Sequence, residues 1–175
     1  SPDGRWIGYT AGEGIGATND DDLMVRDLTN GETRRLVDVP AVGDAQPTIF
    51  AARRATWSPD MRQVAYQFRN ATAKRPELRV MENRPGGRTV TLVDNPEIEY
   101  VFPTAWSPDG TSILVMIERR DLTWQLAWVS ASTGAITVLK SLNWQFNEFG
   151  NGPELSPDGK HIVYCAYAKL RTSAR

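Results

Sequence analysis

The strongest constraint on this sequence is a repeated tripeptide, Ser-Pro-Asp. Its four copies begin at Ser1, Ser58, Ser107 and Ser156, so the last three are 49 residues apart. A fixed period of about 40–50 residues is typical of proteins built from stacked or radially arranged supersecondary units. The repeat divides the chain into units of about 1–57, 58–106, 107–155 and an incomplete 156–175.

Each tripeptide has the chemistry of a tight turn. Proline presets φ, aspartate accepts hydrogen bonds from nearby backbone amides, and the glycine that follows three of the copies takes the left-handed conformation at little cost. Because the aspartate recurs in every copy, we interpret it as a backbone cap and not as half of a catalytic carboxylate pair. Met61 replaces the glycine in the second copy, and we expect that turn to differ in shape.

Alternating apolar residues follow each turn and predict a β-strand with one buried face. They occupy the sixth and eighth positions after each serine: Ile7 and Tyr9, Val64 and Tyr66, Ile113 and Val115, Ile162 and Tyr164. An apolar residue directly precedes three of the turns: Trp57, Trp106 and Leu155. We expect these three to end the preceding strand in the core.

A second recurring block predicts two more strands in each unit. Its members are Leu23-x-Val25, Leu78-x-Val80 and Leu126-x-Trp128, each followed by a glycine-containing turn and by a short apolar segment. No segment has the long apolar stripe of a helix, and four short strands per unit are typical of a propeller blade. We therefore predict an all-β fold: residues 1–175 form a single partial β-propeller of four-stranded antiparallel blades, two whole and two partial.

With these turns and strands, nearly the whole chain resembles the TolB-type, WD-repeat-like β-propellers, whose blades carry the same Ser-Pro-Asp-Gly turn. The resemblance implies a non-catalytic bacterial scaffold that binds a protein, a peptide or another ligand, in the periplasm or elsewhere outside the cytoplasm. The chain is also similar to the propeller portion of prolyl-oligopeptidase-like and dipeptidyl-peptidase-like serine peptidases, where such a domain filters substrates for a separate hydrolase domain. A sensory propeller attached to a DNA-binding or kinase domain is a third alternative.

The number of repeats predicts that the chain is a fragment. Propellers close with about four to eight blades, and each blade buries its faces against its neighbours. The first unit begins at its turn, without the strand that precedes the turn in later units. Exposed blade faces and unpaired strand edges favour association, so we expect self-association through the open blades.

Composition excludes several other classes of protein. A formal net charge of −1 and a pI near 5.9 provide no basic surface for nucleic acid. No run of about 18 apolar residues could span a membrane as a helix. The chain has one cysteine and one histidine, so it contains neither an internal disulfide nor the two-histidine zinc motif. It also lacks the Gly-x-Ser-x-Gly elbow of serine hydrolases.

Two loop motifs resemble ligand sites but lack the required context. Gly12–Ala17 matches the dinucleotide pattern G-x-G-x-x-A, yet no helix is predicted after it. Asp20, Asp21 and Asp22 are adjacent carboxylates without the spaced pattern of a calcium loop. We interpret both segments as surface loops and predict no cofactor, no metal and no catalytic residue.

Five residues are candidates for contact with a protein or peptide partner. Trp124 and Trp144 lie outside the shared apolar registers, so we expect them to be exposed anchors. A long insertion from Pro40 to Arg54 contains Phe50 and the pair Arg53 and Arg54. Loops on rigid scaffolds commonly carry recognition, and we expect these three side chains to extend one binding surface.

Overall fold

The structure, a computed structural model, describes residues 1–11, 22–37, 52–70, 75–142 and 152–164 of the chain. The regular secondary structure in these ranges consists of β-strands alone. Over the same residues, no helix of the length and apolarity needed to cross a membrane is found.

The strands form four antiparallel sheets, in which neighbours along the chain are neighbours in the sheet. Blade 1 contains β1 (Trp6–Ala11), β2 (Asp22–Asp27) and β3 (Thr33–Val37). Blade 2 contains β4 (Ala52–Trp57), β5 (Gln63–Asn70), β6 (Arg75–Glu82) and β7 (Thr89–Val93). Blade 3 contains β8 (Ile98–Trp106), β9 (Ser112–Arg119), β10 (Trp124–Ser130) and β11 (Ile136–Leu142). Blade 4 contains β12 (Glu154–Leu155) and β13 (Ile162–Val163). The prediction of a partial propeller with two whole and two partial blades is confirmed.

Each Ser-Pro-Asp turn is fixed by the same side-chain hydrogen bonds. In the third copy, the Ser107 hydroxyl donates to Asp109 Oδ1 at 2.6 Å and accepts from the backbone N–H of Ser112 at 3.0 Å. Asp109 Oδ1 also accepts from the backbone N–H of Thr111 at 3.0 Å. The equivalent bonds occur in the other three copies. Backbone capping thus accounts for an aspartate in every turn.

The turn at Met61 has the same shape as the others, so the expectation of a different shape is wrong. Met61 has φ 61°, close to the 70° of Gly110 in the next copy. Its N–H donates to the carbonyl of Ser58 at 2.9 Å, and its carbonyl accepts from Asn83 Nδ2 at 2.9 Å. These hydrogen bonds hold the backbone left-handed despite the Cβ atom.

Met61→Gly should therefore raise the free energy of unfolding by up to about 1 kcal/mol. The substitution removes the cost of a left-handed side chain, which is roughly that size, while the half-exposed Met61 side chain loses only part of its packing. Both hydrogen bonds use backbone atoms of residue 61 and survive the change. Urea denaturation of the two chains measures the difference, and a less stable glycine variant would contradict the prediction.

Apolar clusters between the blades form the core. Leu23, Val25 and Leu36 of blade 1 pack against Trp57, Val64, Tyr66, Phe68 and Met81 of blade 2. The cluster between blades 2 and 3 includes Leu78, Val80, Val93, Val101, Trp106, Ile113 and Val115. A third cluster lies between blades 3 and 4. Each sheet therefore contributes apolar residues to the junction with its neighbour, as expected for a propeller.

The predicted buried face of the strand after each turn is present in blades 2 and 3 but not in blade 1. Val64 and Ile113 are fully buried, whereas Ile7, at the same repeat position, is 50% exposed and Tyr9 is 39% exposed. The preceding blade covers this face in blades 2 and 3. None of the described residues form a sheet against the corresponding face of blade 1, so the expectation of burial is wrong there.

Candidate functional site

The first strands of blades 2, 3 and 4 line two adjoining cavities that are open to solvent, which together we call the channel. The first cavity has a volume of about 450 Å³ and is bordered by the four turn prolines, Pro2, Pro59, Pro108 and Pro157. The second has a volume of about 310 Å³, and its lining includes Arg54, Thr104 and Glu154. Thr104 borders both cavities. The repeated turns therefore surround one end of this channel.

The second cavity is lined by equivalent residues of three successive blades. Arg54, Pro103 and Gly152 each stand four residues before the serine of their repeat. The ladder between β4 and β5 and the ladder between β8 and β9 each contain a β-bulge at this point. Bulges redirect side chains and are common beside functional sites. Blades 2 and 3 therefore have an irregular backbone at nearly the same position of the repeat, beside the second cavity.

Arg54 of blade 2 contacts blade 3 and lies near Gly152, which precedes blade 4. It has φ 52°, a conformation that is uncommon for a residue other than glycine. Its guanidinium carbon lies 4.6 Å from the ring centroid of Phe102, within the range of a cation–π contact. Its Nη1 lies 3.7 Å from the position that a Cβ atom on Gly152 would occupy. A strained backbone that aims a cation into a cavity is a candidate for function.

The channel offers groups suited to a peptide. Arg54 contributes a cation with several donors and the exposed Glu154 contributes a carboxylate, whereas Pro103 and Pro153, which also border the second cavity, are buried. The Thr104 hydroxyl donates to the carbonyl of Leu114 at 3.2 Å, so its oxygen can still accept a hydrogen bond from a ligand. Arg54 is the only cation among the described residues that line the two cavities.

Of the five predicted contact residues, Arg54 is the one that the structure places in a cavity. Arg53 lies in β4 opposite Gln67, but its side chain lies outside the described part of the structure. Phe50 and Trp144 lie outside the described residues, as do the Gly12–Ala17 motif and Asp20 and Asp21. Their proposed roles remain predictions.

The expectation that Trp124 is exposed is wrong, since its side chain is only 4% exposed. It packs with Met116, Leu126 and Leu142 at the junction of blades 3 and 4. Its ring centroid also lies 6.4 Å from that of Phe102 in a stacked arrangement. Trp124 begins β10 on the same face as Leu126, and blade 4 covers that face. The residue is part of the core and is not a surface anchor.

Phe102, Thr104 and Glu154 lie at the site but were not predicted from the sequence. All three stand within five residues before the serine of their repeat, in the strands that face the channel. Aligning the repeats on the residues before each serine, as well as on those after it, would have placed them in the same strand of the repeat as Arg54. Which of these residues lie close together depends on how adjacent blades pack.

The buried Asp27 carboxylate is the most strongly perturbed acid among the described residues. It accepts hydrogen bonds from Arg5 Nη2 at 2.6 Å, from the Thr29 hydroxyl at 2.5 Å and from the Thr29 backbone N–H at 2.8 Å. The bond from Arg5 is the largest cause, and together they hold the pKa of Asp27 well below its usual range. The serine hydroxyl and a backbone N–H likewise lower the pKa of Asp60, Asp109 and Asp158.

These shifts predict that acid destabilises the protein. A carboxyl group whose pKa is lower in the folded state contributes stability that is complete above its unfolded pKa of about 3.9 and is lost as the pH falls further. The free energy of unfolding should therefore change little on account of these groups between pH 8 and 5 and fall below pH 4. Asp27→Asn should be less stable at neutral pH and should reduce the acid-dependent loss. Urea denaturation at pH 6 and pH 3 tests both statements, and an unchanged pH dependence in the variant would contradict them.

Comparison with known proteins shows similarity of fold alone. Neither protein-family profiles nor curated protein sequences match this chain. A solved structure of TolB from Acinetobacter baumannii is similar over 97% of this chain and 37% of its own, with a TM-score of 0.70 and 19% identity. A putative TolB from Agrobacterium tumefaciens is similar over 94% of this chain and 56% of its own, with a TM-score of 0.67 and 19% identity. A prolyl endopeptidase matches 90% of this chain and 24% of its own, with a TM-score of 0.60 and 18% identity. The chain thus spans well under two thirds of each of these proteins.

Proposed function

We propose that this chain, a segment of a TolB-like β-propeller, is a non-catalytic binding module that holds an extended peptide of a partner protein in the channel between its blades. The observation that carries the proposal is the placement of Arg54, which is left-handed at a β-bulge and has its guanidinium 4.6 Å from the ring centroid of Phe102. Local strain of this kind persists only where the surrounding structure maintains it, and it is concentrated at functional sites.

The cation of Arg54 favours a peptide with a single acidic group, because the carboxylate of Glu154 lines the same cavity and repels further negative charge. A guanidinium group binds carboxylates through two parallel N–H bonds, and the guanidinium of Arg54 lies over the ring of Phe102. The prolines of the turns supply rigid apolar contacts that lose little entropy on binding. An acidic side chain or a C-terminal carboxylate flanked by apolar residues would match these groups.

A selection from a phage-displayed library of random peptides tests this proposal. We expect peptides with an acidic residue to be enriched on the immobilised chain and to lose at least about tenfold in affinity with Arg54→Ala, because a hydrogen bond to a charged group contributes about 1.5–3 kcal/mol. Arg54→Lys should bind with intermediate affinity, since it keeps the charge without the planar stacking. Thermal unfolding of each variant verifies that it is folded.

Arg62→Ala is the matched control. Arg62 belongs to a Ser-Pro-Asp turn, is exposed, and is 3.9 Å from Asp60 in a weak ion pair, but it does not line either cavity. Its removal should leave the affinity of the selected peptides unchanged. Peptides that bind Arg54→Ala as well as the parent chain would contradict the proposed site.

A second candidate function is the propeller portion of a prolyl-oligopeptidase-like serine peptidase, whose channel would admit peptide substrates to a separate hydrolase domain. The fold similarity to a prolyl endopeptidase favours it, with a TM-score of 0.60. The full-length polypeptide distinguishes the two proposals. A Gly-x-Ser-x-Gly elbow and hydrolysis of proline p-nitroanilide substrates would support the peptidase, whereas further propeller repeats without hydrolysis would support the binding module.

The proposal includes a location outside the cytoplasm of a bacterium, which the resemblance to TolB-type propellers implies. Cell fractionation of the full-length protein tests this location. Recovery with periplasmic markers is the expected result, and recovery with cytoplasmic markers would contradict it.

A further inference from the structure

Gly152 borders the second cavity of the channel at a place where alanine would fit. Its φ lies outside the left-handed region, in which residues other than glycine are strained. A methyl group built on its Cα would lie 3.4 Å from Thr104 Cγ2 and 3.7 Å from Arg54 Nη1, both ordinary van der Waals distances. Neither the backbone conformation of Gly152 nor its contacts with these residues therefore require a glycine.

The other glycines in residues 1–11, 22–37, 52–70, 75–142 and 152–164 are needed for local reasons. A methyl group on Gly8 would lie 2.6 Å from the Trp57 ring, and one on Gly87 would lie 2.5 Å from the carbonyl oxygen of Glu82. Six more have positive φ values: Gly4, Gly31, Gly86, Gly110, Gly134 and Gly159. Over these ranges, Gly152 is thus the one glycine whose described surroundings would admit alanine.

A glycine at such a position makes the folded chain less stable than alanine would. Alanine restricts the unfolded chain more than glycine does, so the replacement is stabilising wherever the folded backbone suits alanine. Pro153 follows, and a residue before proline is confined to extended conformations, which alanine also adopts. Glycine is nevertheless used where a ligand approaches the backbone closely. The position of Gly152 in the cavity wall indicates this second use.

We propose that Gly152 is a specificity-determining residue of the channel, whose missing side chain leaves room for the carboxylate of a bound peptide to reach Arg54 Nη1 beside the methyl group of Thr104. The inference rests on the proposed peptide-binding function and names the place of the acidic group. A carboxylate oxygen bound to a guanidinium lies about 2.7–2.9 Å from the nitrogen. An alanine methyl at 3.7 Å from Nη1 would occupy the approach to Nη1 from the side of Gly152.

The other groups beside Gly152 complete the chemistry of this position. The Thr104 hydroxyl donates to the carbonyl of Leu114 at 3.2 Å, so it offers a ligand an acceptor and no donor. The exposed carboxylate of Glu154 lines the same cavity and is a second acceptor. An acidic residue of an extended peptide has a carboxylate and a backbone N–H close together. It therefore matches one arginine beside two acceptors.

The test uses a peptide selected on the parent chain and the same peptide with its acidic residue replaced by the corresponding amide. In the parent chain, this replacement should weaken binding at least about tenfold, because it removes a hydrogen bond between charged groups. Gly152→Ala should bind the acidic peptide at least about tenfold more weakly than the parent does, and should bind the two peptides nearly equally. A replacement effect of the same size in both chains would overturn the proposal.

Ser132→Thr is the matched control for the added methyl group. Ser132 is an exposed turn residue that borders neither cavity, so its variant should bind both peptides as the parent does. Thermal unfolding separates a role in binding from a role in packing. The midpoint for Gly152→Ala should equal or exceed that of the parent. A lower midpoint would show that the fold requires the glycine, which also overturns the proposal.

Arg54→Ala distinguishes failure of this inference from failure of the proposed function. If the peptides bind Arg54→Ala weakly but bind Gly152→Ala as tightly as the parent, the channel is the binding site and the role of Gly152 is overturned. If they bind both variants as tightly as the parent, recognition takes place elsewhere and both proposals are overturned.

Discussion

Trp106→Ala is expected to lower the free energy of unfolding by about 3–5 kcal/mol, the usual cost of truncating a buried aromatic side chain to alanine. Trp106 is buried in the cluster between blades 2 and 3, and its indole N–H donates to the carbonyl of Thr56 in the neighbouring blade. The substitution therefore leaves a cavity at the junction and an acceptor without its donor. Urea denaturation followed by circular dichroism measures the loss.

Trp106→Phe serves as the partial control. It keeps most of the ring volume and removes the indole N–H, so it should cost about 1–2 kcal/mol, the range of one hydrogen bond and a small cavity. A loss below about 1 kcal/mol for Trp106→Ala would show that Trp106 does not hold blades 2 and 3 together.

Gly134→Ala should lower the free energy of unfolding by about 2–4 kcal/mol, through two separate effects. Gly134 has φ 71°, which costs an alanine about 1 kcal/mol. A methyl group at this position would also overlap the carbonyl oxygen of Leu92 on β7 of the neighbouring blade. Backbone must then move, and crowding of a packed junction typically costs a further 1–3 kcal/mol or so.

Gly86→Ala isolates the first of these effects. Gly86 has φ 65°, and a methyl group built there meets no atom within 4 Å. This variant should lose only about 1 kcal/mol. If the two alanine variants were equally stable, the turn that contains Gly134 would not lie against blade 2, and the arrangement of the blades described above would be contradicted.

The turns and the strands could be predicted because the residues that form them recur in each repeat. The serine and aspartate of each turn bond to backbone atoms within five residues, so their spacing alone predicts the turn. The alternation after each turn predicts the strands for the same reason. The shape of the turn at Met61 could not be predicted in this way. The hydrogen bonds that fix this turn outweigh the cost of a left-handed methionine.

The candidate site could be predicted only in part because it is formed between repeats. Arg54 was chosen as a loop cation, but its contacts with Phe102 and its position near Gly152 depend on how three blades meet. Trp124 is buried because blade 4 covers the face of β10 on which this side chain lies. The periodicity of the sequence predicts the strands within one blade. The contacts between blades also depend on how each blade is rotated relative to the next, which the periodicity does not give.

Chemical-shift mapping shows where on the propeller a peptide binds. A peptide selected on the parent chain would be titrated into isotope-labelled protein, and the backbone amide shifts would be recorded at each step. If the peptide occupies the channel, the largest changes occur at Arg54, at Thr104 and along residues 152–154, and they disappear with Arg54→Ala. Changes concentrated on the outer strands β3, β7 and β11, with the channel residues unaffected, would show that recognition takes place elsewhere on the propeller.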